Sequence, residues 1–299
     1  MIEVVNVTKT FDGFIALDEA SLRVEKGSVY GLVGPNGAGK TTLMKILSGV
    51  FVPDSGSVTI NSYPVYENTA VKKDIMYIGD DLFFFPSYTI ADAARFYAGI
   101  YENWDNERFE SLKSIFNIST NRRIRNLSKG MQKQVAFWLG ISTKPSVMLL
   151  DEPVDGLDPV MRRSVWSLVM QDVTERATTV LISSHNLREL EDVCDHVGIL
   201  HKGKTRIEKA LDDMKGSIHK VQIAFEGAFP QALLSEIKVL HQSSFGSVYT
   251  LIVNGESERI IAAAKMHKPL VCDILPLTLE EVFIYELGGM GYEFESIIL

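Results

Sequence analysis

Short, continuous apolar runs separated by helical patterns dominate the first two thirds of the chain. Three runs, Ser28–Val33, Ser146–Leu150 and Thr179–Ser183, have no polar alternation, which is typical of central parallel strands covered on both faces. A helical pattern, Val160–Arg176, lies between the second and third runs. Strand, helix and strand in this order predict an α/β domain built on a parallel sheet.

Weaker patterns complete this first domain. Alternating positions predict strands at Glu3–Val7, Ser21–Glu25 and Ser57–Ile60. From about residue 88 to 140 the periodicity is helical, with predicted helices at Thr89–Tyr97 and Asn106–Phe116. We therefore expect a mixed sheet core with a helical subdomain at 88–140, and a domain end near residue 210.

The remaining residues, 211–299, follow a different plan. Predicted strands and helices alternate as βαββαβ, which favours a small α+β domain of the ferredoxin-like type. The strands are Val221–Phe225, Ile237–His241, Ser247–Val253 and Leu270–Leu275, and the helices are Pro230–Glu236 and Ser257–Met266. A last helix is expected at Leu279–Leu287. No ligand-binding pattern occurs here, so packing or dimer contact is the expected role.

Composition narrows the function classes. The 299 residues are 46% hydrophobic and carry a formal net charge of −8, so there is no global basic footprint for nucleic acid. Two distant cysteines, Cys194 and Cys272, provide neither a disulfide framework nor metal-ligand spacing.

The N-terminus lacks the charge and apolar pattern of a signal peptide. No apolar run reaches the roughly 18 residues needed to span a bilayer. We expect a cytoplasmic protein that reaches the inner face of the cell membrane only through a partner.

The first candidate for chemistry is a glycine-rich loop that follows a predicted strand and precedes a helix. It matches the phosphate-loop pattern G-x-x-x-x-G-K-[ST], in which backbone N–H groups converge on phosphate oxygens at a helix N-terminus. The lysine reaches the β- and γ-phosphates and the first threonine ligates Mg²⁺. A glycine-rich turn without a ligand is the alternative. The residues are Gly34, Pro35, Asn36, Gly37, Ala38, Gly39, Lys40, Thr41 and Thr42.

Two consecutive carboxylates end the second apolar run. Asp151, at the carboxyl end of the predicted strand, is placed to hold Mg²⁺, and Glu152 is placed to polarise an attacking water. An Asp-Glu pair alone is a weak signal, but after a phosphate loop it indicates nucleotide hydrolysis.

Several motifs in fixed order resemble the nucleotide-binding subunits of ATP-binding cassette (ABC) transporters over residues 1 to about 210. Besides the phosphate loop, they are Leu127–Gln132, Asp151–Asp158 and His185. The resemblance implies an ATPase using ATP and Mg²⁺, acting with a second ABC subunit and a transmembrane permease. Trp104–Asp105 and Lys129 look most like export-type members found beside antibiotic-responsive repressors in Gram-positive bacteria.

The resemblance assigns roles to single residues. Ser128 and Gly130, at a helix start, bind the γ-phosphate of ATP held by the other subunit, although a routine helix cap is the alternative reading. Here Lys129 replaces a glycine and Met131 a glutamine, with Gln132 one place later. His185 orients the water together with Glu152, and Asp158 lies at the dimer interface.

Three further features are open. Phe11 matches the aromatic residue that stacks on adenine, with Phe14 as its rival. Asp80 stands where the family usually has a glutamine, and is a hypothetical Mg²⁺ ligand. Phe83–Phe85 is either an apolar patch for the permease or part of the helical core.

Two other function classes remain. One is an ABC ATPase acting on ribosomes or DNA; the single phosphate loop, the absence of heptads and the acidic charge argue against it. The other is a P-loop kinase or GTPase, which leaves Leu127–Gln132 unexplained. The leading prediction is the ATPase subunit of an exporter, with each ATP site shared between two chains.

Overall fold

The computed structural model describes residues 1–211, 218–227, 229–275, 277–278 and 280–282. They form two compact units. The first contains residues 1–186 and 193–208; the second contains residues 187–192 and the described residues from 209 onwards.

The first unit begins with strands and ends in a strand whose last two residues, Lys209 and Ala210, are counted with the second unit. Its strands are β1 Ile2–Phe11, β2 Phe14–Val24, β3 Val29–Val33, β4 Ser55–Ile60, β5 Tyr63–Pro64, β6 Ile75–Ile78, β7 Val147–Asp151, β8 Thr179–Ser184, β9 His196–His201 and β10 Lys204–Ala210. Its helices are α1 Lys40–Leu47, α2 Thr69–Lys72, α3 Ile90–Ile100, α4 Asn106–Phe116, α5 Lys129–Ser142 and α6 Pro159–Arg176, with a 3-10 turn at Ile124–Asn126.

A six-stranded sheet in the order β10-β9-β3-β8-β7-β6 forms the centre of this unit. The pairs β3–β8, β3–β9, β7–β8 and β6–β7 are parallel. Every residue of β3, β7 and β8 is buried, as their continuous apolar runs predict. Because parallel strands end at the same edge, the segments after β3, β7 and β8 meet there.

A second sheet, in the order β2-β1-β4-β5, packs against the first through α1. The shared core includes Leu17 and Val58 from this sheet, Leu43 from α1, and Leu149 from the central sheet. The start of α1, which follows the phosphate loop, is therefore fixed by buried contacts on both sides.

The helical region follows its sequence signals closely. Thr89 caps α3 in a reciprocal capping box with Asp92. Helix α4 has the predicted bounds, and it buries Phe109, Leu112 and Phe116. Trp138 of α5 stacks on Phe109 with ring centroids 4.8 Å apart and donates its indole N–H to the Phe109 carbonyl oxygen.

One strand of the central sheet has no counterpart among the elements that the sequence predicts. It is β6, Ile75–Ile78, which lies before the loop that contains Asp80. The four-residue run Ile75–Ile78 is too short for its periodicity to distinguish a strand from a loop, and pairing with β7 decides its structure.

The second unit begins with helix α7 Leu187–Glu191. The rest has the predicted βαββαβ order: β11 Ile218–Ala224, α8 Leu233–Glu236, β12 Lys238–Phe245, β13 Val248–Asn254, α9 Ser257–Met266 and β14 Val271–Leu275. Its sheet has the order β12-β13-β11-β14 with antiparallel pairs. Of the helix predicted at Leu279–Leu287, residues 280–282 are helical, and the remainder lies outside the described residues.

Candidate active site

The phosphate loop joins the end of β3 to the start of α1. Gly39 precedes the helix with φ +107°, a conformation that L side chains rarely adopt. A Cβ on Gly34 would lie 2.2 Å from the Leu200 carbonyl oxygen, and one on Gly39 would lie 2.4 Å from that of Ala16. A Cβ on Gly37 (φ +80°) would meet nothing within 4 Å. The glycines therefore allow a tightly packed loop whose tip, Asn36 and Gly37, is exposed.

Lys40, the first residue of α1, is buried beneath this loop. Its ammonium donates to the carbonyl oxygen of Gly34 at 2.6 Å and lies 3.5 Å from the Glu152 Oε1 atom. Thr41 and Thr42 follow it in the first turn, where helix N–H groups favour an anion. The loop, the helix start and the lysine suit a polyphosphate.

Asp151 is the last residue of β7 and is completely buried. Its Oδ1 atom accepts a hydrogen bond from the Ser183 hydroxyl group on the neighbouring strand β8. Its Oδ2 atom is buried and has no hydrogen-bond partner among the described residues. A buried anionic oxygen without a partner is costly, and a hard divalent cation satisfies it. The Asp151 carboxylate therefore fits a Mg²⁺ ion, and the Thr41 hydroxyl group stays the second predicted oxygen donor.

Glu152 follows directly but has different surroundings. Its backbone is left-handed, with φ +46°, which is uncommon for a residue with a side chain. Its main-chain N–H donates to the Ser183 carbonyl oxygen at 3.1 Å. One carboxylate oxygen faces Lys40 and the other, Oε2, accepts from the His185 ring at 3.0 Å. A mostly buried carboxylate is thus held between two nitrogen groups.

His185 lies just beyond β8, with half of its side chain exposed. Because a carboxylate only accepts, its Nδ1 atom carries the hydrogen in the contact with Glu152, which leaves Nε2 available. Asp155 is nearby: ligand atoms of Glu152, Asp155 and His185 lie within 4.8 Å of one another. The predicted pairing of Glu152 with His185 is present in the geometry.

Ser128 and Gly130 lie at the start of α5. The Ser128 hydroxyl oxygen accepts from the Met131 N–H at 3.3 Å, so it caps the helix, and its side chain is exposed. A Cβ on Gly130 would lie 2.3 Å from the Gly156 carbonyl oxygen. The Gln132 amide donates to the Leu127 carbonyl oxygen, so it closes its own helix start. Within the described residues, Ser128 makes no hydrogen bond to the phosphate loop of its own chain.

Asp158 caps α6 by accepting from the N–H groups of Val160 and Met161 at 3.0 Å. Its side chain is at the surface. The cap explains an acidic residue here in structural terms, and it leaves the second carboxylate oxygen, Oδ2, outside these two hydrogen bonds.

Phe11 ends β1 and is partly exposed. Its ring contacts Phe51 edge to face at 5.3 Å, and the Lys9 ammonium lies 5.3 Å from its centre. Phe14, its rival, is 64% exposed and starts β2. A supported, partly open ring at Phe11 is the better platform for a base.

Asp80 lies in the loop after β6, with its side chain 61% exposed and Oδ1 3.8 Å from the Lys133 ammonium. Burial, followed by the negative charges of Asp151, Asp80 and Asp81, raises the pKa of the Tyr77 hydroxyl group. Asp80 and Asp151 thus both lie close enough to the Tyr77 hydroxyl group to raise its pKa.

The aromatic segment after Asp80 is open to solvent. Phe83 is 80% exposed and Phe85 is 43% exposed, while Phe84 is half-buried. Phe85 packs on Tyr88 and Phe96, and Phe96 is also partly exposed. We call Phe83, Phe85 and Phe96 the aromatic patch. Its exposure contradicts complete burial of the three phenylalanines in the helical region.

Sequence reasoning missed two residues that organise the site. Ser183 was identified only as part of a strand, yet it binds both Asp151 and Glu152. Lys133, which is buried in α5, donates to the Glu152 carbonyl oxygen at 2.7 Å. A lysine among apolar positions of a helix is the one signal that could have drawn attention to it.

Comparison with known proteins places this geometry in a family. The family model for ABC transporters matches residues 17–155. The ABC transporter ATP-binding protein YtrB of Bacillus subtilis (strain 168) is 33% identical over 97% of this chain and 99% of its own length.

Solved structures agree on the fold. A structure described as the ATP-binding subunit of an ABC transporter has a TM-score of 0.67 at 25% identity, covering 72% of this chain and 92% of its own. A dimeric bacterial ABC transporter cassette has a TM-score of 0.65 at 22% identity, covering 71% and 99%. The chain therefore belongs to the ATP-binding proteins of ABC transporters, and it is an ATPase.

Proposed function

We propose that this chain is the motor subunit of an exporter, and that two chains close over two ATP molecules to drive a separate permease. The observation that carries the proposal is the grouping of Lys40, Asp151, Glu152 and His185 at one sheet edge, with Glu152 held between Lys40 and His185.

Each residue at this edge of the sheet has its own proposed role in ATP hydrolysis. The loop N–H groups and Lys40 hold the β- and γ-phosphates of ATP. Glu152 accepts the hydrogen bond of the attacking water, and its two contacts fix the carboxylate in place. His185, held through Nδ1, offers Nε2 to the water or to the γ-phosphate.

The proposed metal site consists of Asp151, Thr41 and Asp80. Asp151 supplies the buried oxygen without a partner, and Thr41 supplies a hydroxyl group beside the loop. Bound Mg²⁺ neutralises charge on the transferred phosphoryl group. Asp80 would add an oxygen from the loop after β6.

Completion of the site by a second chain is proposed for Ser128, Gly130 and Asp158. These residues lie at the start of α5 and of α6, and the side chains of Ser128 and Asp158 are exposed. A helix start with an exposed serine suits the terminal phosphate of an ATP molecule bound elsewhere. Phe11 would stack on the adenine held by its own chain.

The aromatic patch is the proposed contact for the permease. Exposed aromatic side chains in one cluster are typical of a surface that a partner covers. Within the described residues, no helix is both long and apolar enough to cross a membrane. We therefore propose that the permease holds this chain at the inner, cytoplasmic face of the cell membrane. The net charge of −8 does not favour a nucleic-acid partner.

Replacement of the proposed base tests this function. Glu152→Gln keeps the size of the side chain but removes the charge that polarises water. We expect kcat for ATP hydrolysis to fall by about 10²- to 10⁴-fold, the range for loss of a general base. Equilibrium ATP binding should persist, because Lys40 and the loop are unchanged.

Glu110→Gln is the matched control. Glu110 is an exposed residue of α4 that pairs with Lys113, so its replacement should leave kcat at the wild-type value. Wild-type turnover in Glu152→Gln would contradict the assignment of the base.

A further inference from the structure

Lys133 is a buried charged side chain on the face of α5 that also carries Ala136 and Phe137, at positions i+3 and i+4. It is 5% exposed, and its neighbours Val135 and Phe137 are completely buried. Burying an ammonium group is costly unless it is paired and hydrogen-bonded. In the described part of the chain its ammonium has two partners, the Glu152 carbonyl oxygen at 2.7 Å and the Asp80 carboxylate at 3.8 Å.

The contact with Glu152 is made to its main chain, which leaves the carboxylate free to act. The backbone of Glu152 has φ +46°, and such a conformation persists only when the surroundings hold it. Ser183 holds the N–H end through its carbonyl oxygen at 3.1 Å and its hydroxyl oxygen at 3.3 Å. Lys133 holds the carbonyl end.

The backbone of Glu152 decides where its carboxylate lies. That carboxylate contacts Lys40 at 3.5 Å and His185 at 3.0 Å, and a small rotation of the backbone would change both distances. Catalysis by a positioned base is sensitive to displacements of about 1 Å. A group that fixes this backbone therefore affects the reaction without touching the reacting atoms.

We propose that Lys133 is a positioning residue for hydrolysis, and that it acts by holding the main-chain carbonyl of Glu152. Asp80 balances the charge of the ammonium from the loop after β6. The inference rests on the proposed role of Glu152 as the base. It adds a residue of α5, outside the phosphate loop and the strand ends, to the groups on which turnover depends.

Two substitutions in the full chain test the role. Lys133→Met keeps the length and removes the donor; we expect kcat at saturating Mg-ATP to fall about 10- to 100-fold. The Kd for ATP, measured by equilibrium binding, should stay within about twofold of the wild-type value. The substitution is expected to affect the hydrolysis step and not the binding of ATP. Lys133→Arg keeps a charged donor and should keep kcat within about threefold of wild type.

Controls separate this role from general damage. Lys113→Met, at an exposed lysine of α4, should behave as wild type. If Lys133→Met does not fold, Lys133→Gln, which is too short to reach the same oxygen, takes its place with the same expected loss of kcat.

A double substitution shows whether Lys133 acts through Glu152. The kcat of Lys133→Met/Glu152→Gln should equal that of Glu152→Gln alone, because the positioned group is already lost. If the losses of kcat in the two single variants multiplied in the double variant, the inference would be overturned. A raised Kd for ATP with an unchanged kcat in Lys133→Met would also overturn it. Failure of the base assignment appears separately, as wild-type turnover in Glu152→Gln.

Discussion

Asp151 and Glu152 are neighbours in the chain, yet the structure surrounds their carboxylates differently. Asp151 is completely buried against the Ser183 hydroxyl group, whereas Glu152 lies between Lys40 and His185 at the edge of the site. Different environments let one carboxylate hold a cation while the other accepts a proton or polarises water. The backbone of Glu152 is left-handed, with φ +46°, which is uncommon for a residue with a side chain.

Asp80 contacts Lys133, and we also propose it as a ligand of Mg²⁺. If it ligates Mg²⁺, Asp80→Ala should raise the Mg²⁺ concentration for half-maximal ATPase activity by about fivefold or more, since an oxygen ligand is lost. The measurement is an Mg²⁺ titration at constant free ATP, with Asp81→Ala, the adjacent exposed carboxylate, as control. A lowered kcat at an unchanged Mg²⁺ requirement would contradict ligation and leave Asp80 as a partner of Lys133 alone.

The residues of the site differ in how far the sequence predicts them. Lys40, Asp151 and Glu152 are predictable because each belongs to a short motif with a fixed place beside a strand end. Lys133 and Ser183 contact Glu152 from 19 and 31 positions away, through packing between separate elements. No local pattern specifies such contacts, so the structure is needed to find them.

Elements with a strong pattern were predicted well. The buried strands β3, β7 and β8 and the helices α4 and α6 have nearly the expected bounds. The three strands are continuous apolar runs, and α4 carries Phe109, Leu112 and Phe116 on one face at helical spacing. Strand β6 was missed, since four residues carry too little pattern. The domain bounds 1–210 and 211–299 stay predictions, as does the narrower resemblance to exporters of Gram-positive bacteria.

The loop after β6 and helix α3 together form the aromatic patch. Phe83→Ser should leave thermal stability nearly unchanged, since exposed side chains contribute little to it. It should shift the chain from the membrane fraction to the supernatant when cells that make the permease are fractionated.

Phe245→Ser is its control, because Phe245 is 92% exposed in the other unit. Equal membrane association of Phe83→Ser and the wild type would contradict permease contact at the patch.

The first unit of each chain supplies two different parts of the proposed ATP sites. One edge binds the polyphosphate, and the starts of α5 and α6 present Ser128 and Asp158 at the surface. The second unit has its own core, formed by residues such as Val221, Leu251 and Ile260, so it can pack independently of nucleotide. In the proposed dimer, ATP bridges the first units of two chains.

The molecular mass in the presence of ATP tests this account most directly. Glu152→Gln, which we expect to bind ATP and hydrolyse it slowly, should sediment with twice the 33.3 kDa mass of one chain in Mg-ATP and with the single mass in Mg-ADP. Adding Ser128→Arg should abolish the doubled mass. A Glu152→Gln protein that keeps the mass of one chain at saturating Mg-ATP would contradict the shared site.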